Sequence, residues 1–423
     1  MRWSLEGDSR SSPKMTATAH STPNDKDHWR EMTLGDVLSL VRNGVNVKQR
    51  KDGIGQPISR IETIAGASVD YSRVGFAELD EKQQEKFRLK KGDILFSHIN
   101  SAIHVGKTAL VREDSDLFHG VNLLLFRSSD SVHPQFLNLF LKKIFGEGYW
   151  RTVCKQSVNQ ASVNQTDVKR VTIPVPPLAE QERIVGILDE AFEGIATATA
   201  HAERNLINAQ ELFQSVLQST FEQKGEGRHE PLHFLVERLT NGYVGPTRDI
   251  YKESGVPYLL ARHVKSNVLK FDEKTFVTDD FNEKHKKSML KTGDVLLVQS
   301  GHIGHSAVVP AEHMGHNCHA MIVITTIAAK VRGDFLSYYF DSPVMQKRFS
   351  EIRSGSTVPH LTCRAVKELL IPVPLLKTQA EIVAKLDALS EETKRLEAIY
   401  QRKLDALAEL KQSLLQRAFA GEL

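Results

Sequence analysis

The stretch that decides the fold is IPVPPLAEQERIVGILD, Ile173–Asp189, because it returns as IPVPLLKTQAEIVAKLD at Ile371–Asp387. Ten of the 17 positions are identical at a constant offset of 198 residues. Solenoid repeats run to roughly 20–50 residues, so this period describes two copies of a unit the size of a domain plus an arm. Proline fixes φ and pushes the residue before it to extended backbone, so Ile-Pro-Val-Pro reads as an extended linker that gates the helix behind it.

Behind each gate the apolar residues follow a heptad seam. In the first arm it runs Ile184, Leu188, Ala191, Ile195, Ala198, Ala202, Asn205, Ala209, Leu212 and Val216. In the second it runs Ile382, Leu386, Leu389, Thr393, Leu396, Tyr400, Lys403, Leu407, Leu410 and Leu414. Spacings alternate four and three, which is the coiled-coil period. About 40 residues at 1.5 Å rise make each helix roughly 60 Å long. A lone helix of that length would expose an apolar ribbon, so each arm needs a mate. The first seam is rich in alanine where the second is bulky, and the reading is an antiparallel pair with Leu396 and Tyr400 over Ala198 and Ala202.

Ahead of each arm lies a globule of short strands, turns and a few helices. KKGDILFSHINSAIHVGKTALV (90–111) in the first is answered by LKTGDVLLVQSGHIGHSAVV (290–309) in the second. The offset is 201 at Gly92/Gly293 but 198 at Gly106/Gly304, so the first copy has three extra residues in the intervening loop. Frameworks match while loops differ, as expected when loops carry specificity. The net charge of +3 hides an asymmetry: residues 29–172 carry +5 and 226–370 carry +3, whereas 173–225 carry −5 and 371–423 are neutral. Basic globules suit phosphate contact, and the arms suit a protein partner. Three scattered cysteines, Cys154, Cys318 and Cys363, argue against a disulfide framework and for a reducing cytoplasm. No apolar run approaches the roughly 20 residues of a membrane helix. Residues 1–28 read as a disordered polar tail, with Met15 a second candidate start.

With gate, heptads and the terminal Phe419–Leu423 (FAGEL) in place, the chain resembles the specificity subunit of type I restriction-modification enzymes. The signals are the duplicated Ile-Pro-Val-Pro and Leu-x-x-Gln-x-x-Ile-Val, at Leu178–Val185 and Leu376–Val383. The resemblance implies an α+β chain. Two mixed α/β target recognition domains (29–172 and 226–370) would be separated by two long helices (173–225 and 371–423) forming an antiparallel coiled coil in a pseudo-two-fold repeat. Each domain would read half of a split, asymmetric site in double-stranded DNA. The arms would set the spacing and dock two methyltransferase subunits that use S-adenosylmethionine on adenine. Restriction and translocase subunits using ATP and magnesium would join them, leaving this chain without catalytic centre, cofactor or metal of its own.

The chemistry-bearing motifs agree. SAIHVGKT (Ser101–Thr108) lacks the first glycine of a phosphate loop, and the second copy has His305-Ser306 in place of Lys107-Thr108. His313, His316, Cys318 and His319 lie too close together to surround zinc without a distant second pair; alternation on a strand is the plainer reading. No (Asp/Asn)-Pro-Pro-(Phe/Tyr) tetrapeptide or glycine-rich S-adenosylmethionine loop is present. DNA-contact candidates are donors in loops that differ between copies. They are Lys48, Arg50, Lys51, His98, Asn100, Ser101, Lys107 and Gln156 in the first globule. In the second they are Arg248, Arg262, His263, Lys265, Gln299, His302, Ser354, Ser356 and His360. Arg and Lys suit phosphates and guanine edges, and Asn and Gln suit adenine. For any one of them a solvated surface role is the competing reading; His98/Asn100 and Gln299/His302 stand out because they follow corresponding strands. The rival for the whole chain is an autonomous nuclease or ATPase with an unfamiliar motif.

Overall fold

The computed structural model describes residues 28–158, 160–222, 228–354 and 359–423. The tail expected over 1–28, apart from His28, and the candidate Ser356 lie outside the described residues. The gates are more than linkers. Thr172–Val175 pairs antiparallel with Arg30–Thr33, and Leu370–Val373 pairs in the same way with Arg228–Pro231. A two-stranded ribbon tolerates Pro174 and Pro372 because one side of each strand needs no hydrogen bond. Each arm is then one unbroken helix, Leu178–Glu222 and Leu376–Phe419.

The repeated glutamine of Leu-x-x-Gln explains why the sequence is used twice. Gln181 and Gln379 are both 0 % exposed. The Gln181 Oε1 accepts from the His133 backbone N–H at 2.8 Å, and its Nε2 donates to the carbonyls of Pro176 (2.8 Å) and Ser131 (3.1 Å). Gln379 repeats this with the Arg332 N–H (2.9 Å) and the carbonyls of Pro374 (2.9 Å) and Lys330 (3.0 Å). His133 and Arg332 precede the helices Pro134–Gly146 and Gly333–Asp341. One amide therefore locks the arm's first turn to its gate and to the start of the globule's helix. Eight residues on, Asp189 accepts from Gln135 Nε2 (2.8 Å) and Asp387 from Tyr338 Oη (2.6 Å). The duplicated residues build an arm-to-globule joint.

Each globule is centred on a four-stranded antiparallel sheet. The order is 38–43, 124–128, 94–96, 108–110 in the first, and 236–241, 321–326, 295–298, 306–308 in the second. Both faces are buried. Ile94, Phe96, Leu124 and Phe126 pack toward helix Pro134–Gly146 and the arm, while Leu95, Ala109, Leu123 and Leu125 pack against Ile64, Leu89 and Leu117. That accounts for apolar runs without alternation.

The Gly-Asp turns end in buried carboxylates. Asp93 receives Arg127 through Nε (2.7 Å) and Nη2 (2.8 Å). Asp294 receives Arg238 Nη2 (2.5 Å) and Thr325 Oγ1 (2.6 Å). The arginines come from different strands: Leu40 faces Arg127 in one sheet and Arg238 faces Thr325 in the other. Because the pair is directly opposed, either strand can deliver the guanidinium to one carboxylate.

Two compact units comprise residues 1–199 with 405–423, and 200–404. Each unit holds the start of one arm and the end of the other. In the first, Ile184 and Leu188 share a core with Leu415, Ala418 and Phe419, and Arg183 Nη2 donates to the Leu423 carbonyl at 2.6 Å. In the second, Leu217 shares a core with Val383 and Leu386. The buried face departs from the strict heptad toward the arm ends. Leu212 and Leu410 are exposed, at 54 % and 47 %, while Leu217 and Leu415 are buried. A straight helix drifts roughly 20° per heptad from a 3.5 repeat, and the globules draw the next positions inward. Ala202 is buried, with Leu396 and Tyr400 of the same unit half-buried.

Ala202→Leu is expected to overpack the arm and cost about 1–3 kcal/mol, read as a lower Tm; an unchanged melt would remove the mate from the picture. Arg238→Leu should cost about 3–5 kcal/mol by stranding the Asp294 carboxylate. Adding Thr325→Arg, which recreates the first sheet's arrangement, should recover most of it. Additive losses in urea unfolding would contradict the swap.

Candidate nucleic-acid interface

Several of the candidates converge on a small ribbon beside each sheet. In the first globule Ile99–Asn100 pairs with Gln160–Ser162, which pairs with Lys155–Ser157. Ala161 is opposite Asn100 on one side and Gln156 on the other, which puts Asn100 in one row with residues more than 50 positions away. The Asn100 Oδ1 accepts from the Ser101 N–H (2.8 Å), and its Nδ2 donates to Ser97 Oγ (3.1 Å), so the loop start is shaped by that side chain. His98 is half-buried with Nδ1 unpaired, and burial lowers its pKa. Its carbonyl accepts from the Val163 N–H at 2.9 Å.

The second globule repeats this plan with less strand. Ser300 and Ser354 both bridge to His360, and the Gln299 carbonyl accepts from the Leu361 N–H at 2.9 Å. Val163 and Leu361 are 198 apart, so His98 and Gln299 occupy one framework place with different chemistry. Sequence spacing paired these two. It did not bring Gln156 or Ser354 and His360 beside them, since that depends on strand pairing across more than 50 residues.

The remaining candidates lie elsewhere. Arg50 is paired with Asp52 at 2.7 Å, and Lys48 is exposed. Lys51 lines a concavity of about 480 Å³ with Arg60 and Arg73, two residues the sequence reading missed because nothing in their spacing marks them. Lys107 is turned back, its Nζ donating to the Ala65 carbonyl at 2.9 Å. Arg248 is exposed on the segment after strand 236–241. Arg262, Lys265 and His302 line one cavity of about 540 Å³ in the second globule, joined by Lys270 and His305, which were also missed. The signal for His305 was present, as it replaces Lys107. Arg262 is bound to Glu273 at 3.0 Å and to Thr275 Oγ1 at 2.7 Å. His263 is buried, its Nδ1 accepting from the Leu260 N–H (3.0 Å) and its Nε2 bonded to the Glu273 carbonyl (2.9 Å), leaving neither nitrogen for a base.

The cavity wall is a hairpin whose turn, Ser266–Asn267, has positive φ at both residues (34° and 63°). His305 Nδ1 accepts from the Ser266 N–H at 3.2 Å, which leaves its proton on Nε2. Burial, then His302, lowers the His305 pKa. Behind the turn, Asp341 Oδ1 accepts from the Ser306 N–H at 3.3 Å, while Oδ2 is buried without a partner. Burial pushes Asp341 up to about 8, against backbone hydrogen bonds from Ser306 and Asn267. No group of three or more His, Cys, Asp or Glu able to hold a metal occurs among the described residues, nor does a helix long and apolar enough to cross a membrane.

A carboxyl with a raised folded pKa contributes fully only below its unfolded pKa, and the contribution is lost as pH climbs toward 8. Asp341→Asn is therefore expected to raise Tm, slightly at pH 5 and most at pH 9. An equal gain at both pH values would contradict the assignment.

Known proteins share this architecture and sequence. The sequence profile of the type I restriction modification DNA specificity domain matches residues 26–209 and again 237–403. The MjaX type I restriction enzyme specificity subunit of Methanocaldococcus jannaschii is 30 % identical over 421 residues, covering 94 % of each chain. A chain from a solved type I restriction-modification system, studied for complex assembly and conformational transition, superimposes with a TM-score of 0.71 at 19 % identity, covering 94 % of this chain and 98 % of the other. The HsdS subunit of Thermoanaerobacter tengcongensis gives 0.53 at 18 % identity, covering 94 % and 97 %. The last two speak for the fold; profile and relative together establish that this chain belongs to the DNA specificity family of type I restriction-modification systems.

Proposed function

We propose that each globule reads one half of a split, asymmetric site in double-stranded DNA, and that the two arms set the spacing between the halves. The observation that carries this is the pair of ribbons at one framework position with unlike side chains. His98, Asn100, Ser101 and Gln156 stand on one, and Gln299, Ser354 and His360 on the other. Two different readers on one repeated scaffold fit two different words. Lys48, Lys51 and Arg248 supply phosphate contacts, as do Arg262, Lys265 and His302 of the larger cavity.

The arms also carry the docking sites for two methyltransferase subunits. Leu178 and Leu376 are exposed at equivalent places 198 residues apart, as are Leu212 and Leu410. Each compact unit thus presents one leucine from an arm's first turn and one from the other arm's late portion. Equivalent apolar side chains left in solvent on both copies suit two like partners. S-adenosylmethionine for adenine methylation, and ATP with magnesium for cleavage, belong to those partners and to the restriction subunits. The chain works in the cytoplasm.

Gln299→Ala is expected to change selectivity at one half-site by about 1–3 kcal/mol, read by competition binding with single-base variants; uniform weakening on all sequences would reduce Gln299 to a phosphate contact. Inserting seven residues in both arms should change the accepted gap and leave both words intact, because duplex position advances about 3.4 Å per base pair. Mapping methylated adenines genome-wide reads words and gap together, and altered words would refute the ruler.

A further inference from the structure

Three cations gather in the first compact unit, each replaced by a non-cation in the second copy. Lys142 lies on helix Pro134–Gly146, Arg112 just past strand Thr108–Leu110, and Lys411 near the end of the second arm. Their framework equivalents are Asp341, Pro310 and Phe213. Three chain-distant positions that lose charge together are not shared framework. Arg112 and Lys142 line a cavity of about 230 Å³ with Asn138, Ser68 and Tyr71, and Glu113 lies at its wall. Asn138 is 1 % exposed, and its Oδ1 is buried without a partner. Among the described residues Lys142 has no hydrogen bond or ion pair, and the Lys411 ammonium rests 5.1 Å over the Phe192 ring. Ser337 replaces Asn138 in the second copy, where its hydroxyl meets Ser306 Oγ at 2.9 Å.

We propose that this cavity is an anion site for a phosphate-class oxyanion, held by Lys142 and Arg112 with Lys411 behind them. An oxyanion with several oxygens can meet ammonium, guanidinium and hydroxyl donors from different sides, which a two-oxygen carboxylate does less well. The electrostatics point the same way: burial, then repulsion from Lys411 and Arg112, pushes Lys142 down to about 8, with Asp189 as the partial counterweight. An anion would relieve that repulsion. The group could arrive as free phosphate or as a DNA backbone phosphate.

The test is thermal unfolding of the full chain at neutral pH in sodium phosphate and in sodium chloride of matched ionic strength. Phosphate stabilises many proteins by exclusion from their surface, so the comparison with Lys142→Met is decisive. The unmodified chain should gain roughly 2–4 °C more from phosphate than the variant does. In chloride the variant should be no less stable, since it removes a half-buried charge that has no ion pair among the described residues. Should Lys142→Met not fold, Arg112→Ser, at an exposed position, offers the same comparison. The source follows from DNA binding against salt: a slope lower by about one in the variant assigns the site to a backbone phosphate, and an unchanged slope to free phosphate. An equal phosphate gain in both proteins, with equal slopes, overturns the proposal.

Discussion

A single buried primary amide in each half, Gln181 and Gln379, sets the relation between recognition globule and helical arm. Each bonds one N–H and two carbonyls through a fully buried side chain, and each ends where a globule helix begins. A buried amide left unpaired costs about 1–3 kcal/mol, so the joint favours the one geometry that satisfies it. Apolar packing of Ile184 and Leu188, or of Val383 and Leu386, adds area but no direction. The amide supplies the direction, and for a protein that must present readers at a set attitude, direction matters more than area.

Around that joint the two halves hold their geometry through different residues. The Asp93–Arg127 and Asp294–Arg238 pairs place a guanidinium on the same buried carboxylate from opposite strands. Asp189 and Asp387 accept from a glutamine in one half and a tyrosine in the other. What persists is the interaction, because a sheet row or a helix face offers two places from which a partner can reach. The ribbons behave oppositely: their backbone hydrogen bonds persist while the side chains differ. Divergence in the framework is compensated, and divergence in the ribbons is not.

The cation cluster around Lys142 marks where the halves cease to be equivalent in charge. At its counterpart the second globule buries the Asp341 carboxyl against a strained turn, and that turn borders the Arg262–His302 cavity. One framework position thus carries an ammonium in one copy and a carboxyl in the other, each with its pKa moved to about 8 by burial. A near-symmetric scaffold becomes two chemically distinct modules at such sites as well as at the ribbons.

Much of the architecture was legible in the residues. The offset of 198, the proline gates and the 3.5-residue apolar period mark two globules and two long helices, because these are local properties of backbone and periodicity. The framework equivalence of His98 and Gln299 could also be read, since it rests on aligned Gly-Asp turns. The tertiary structure decided the rest. It made the gates into paired strands, turned Leu212 and Leu410 to solvent and Leu217 inward, and withdrew Lys107 and His263 into hydrogen bonds of the fold. It alone put Gln156 in one row with Asn100, across Ala161, and Lys142 near Arg112 and Lys411. Periodicity reports which face of a helix is apolar, but the choice of neighbour for a loop donor depends on strands that meet only after the chain has closed on itself.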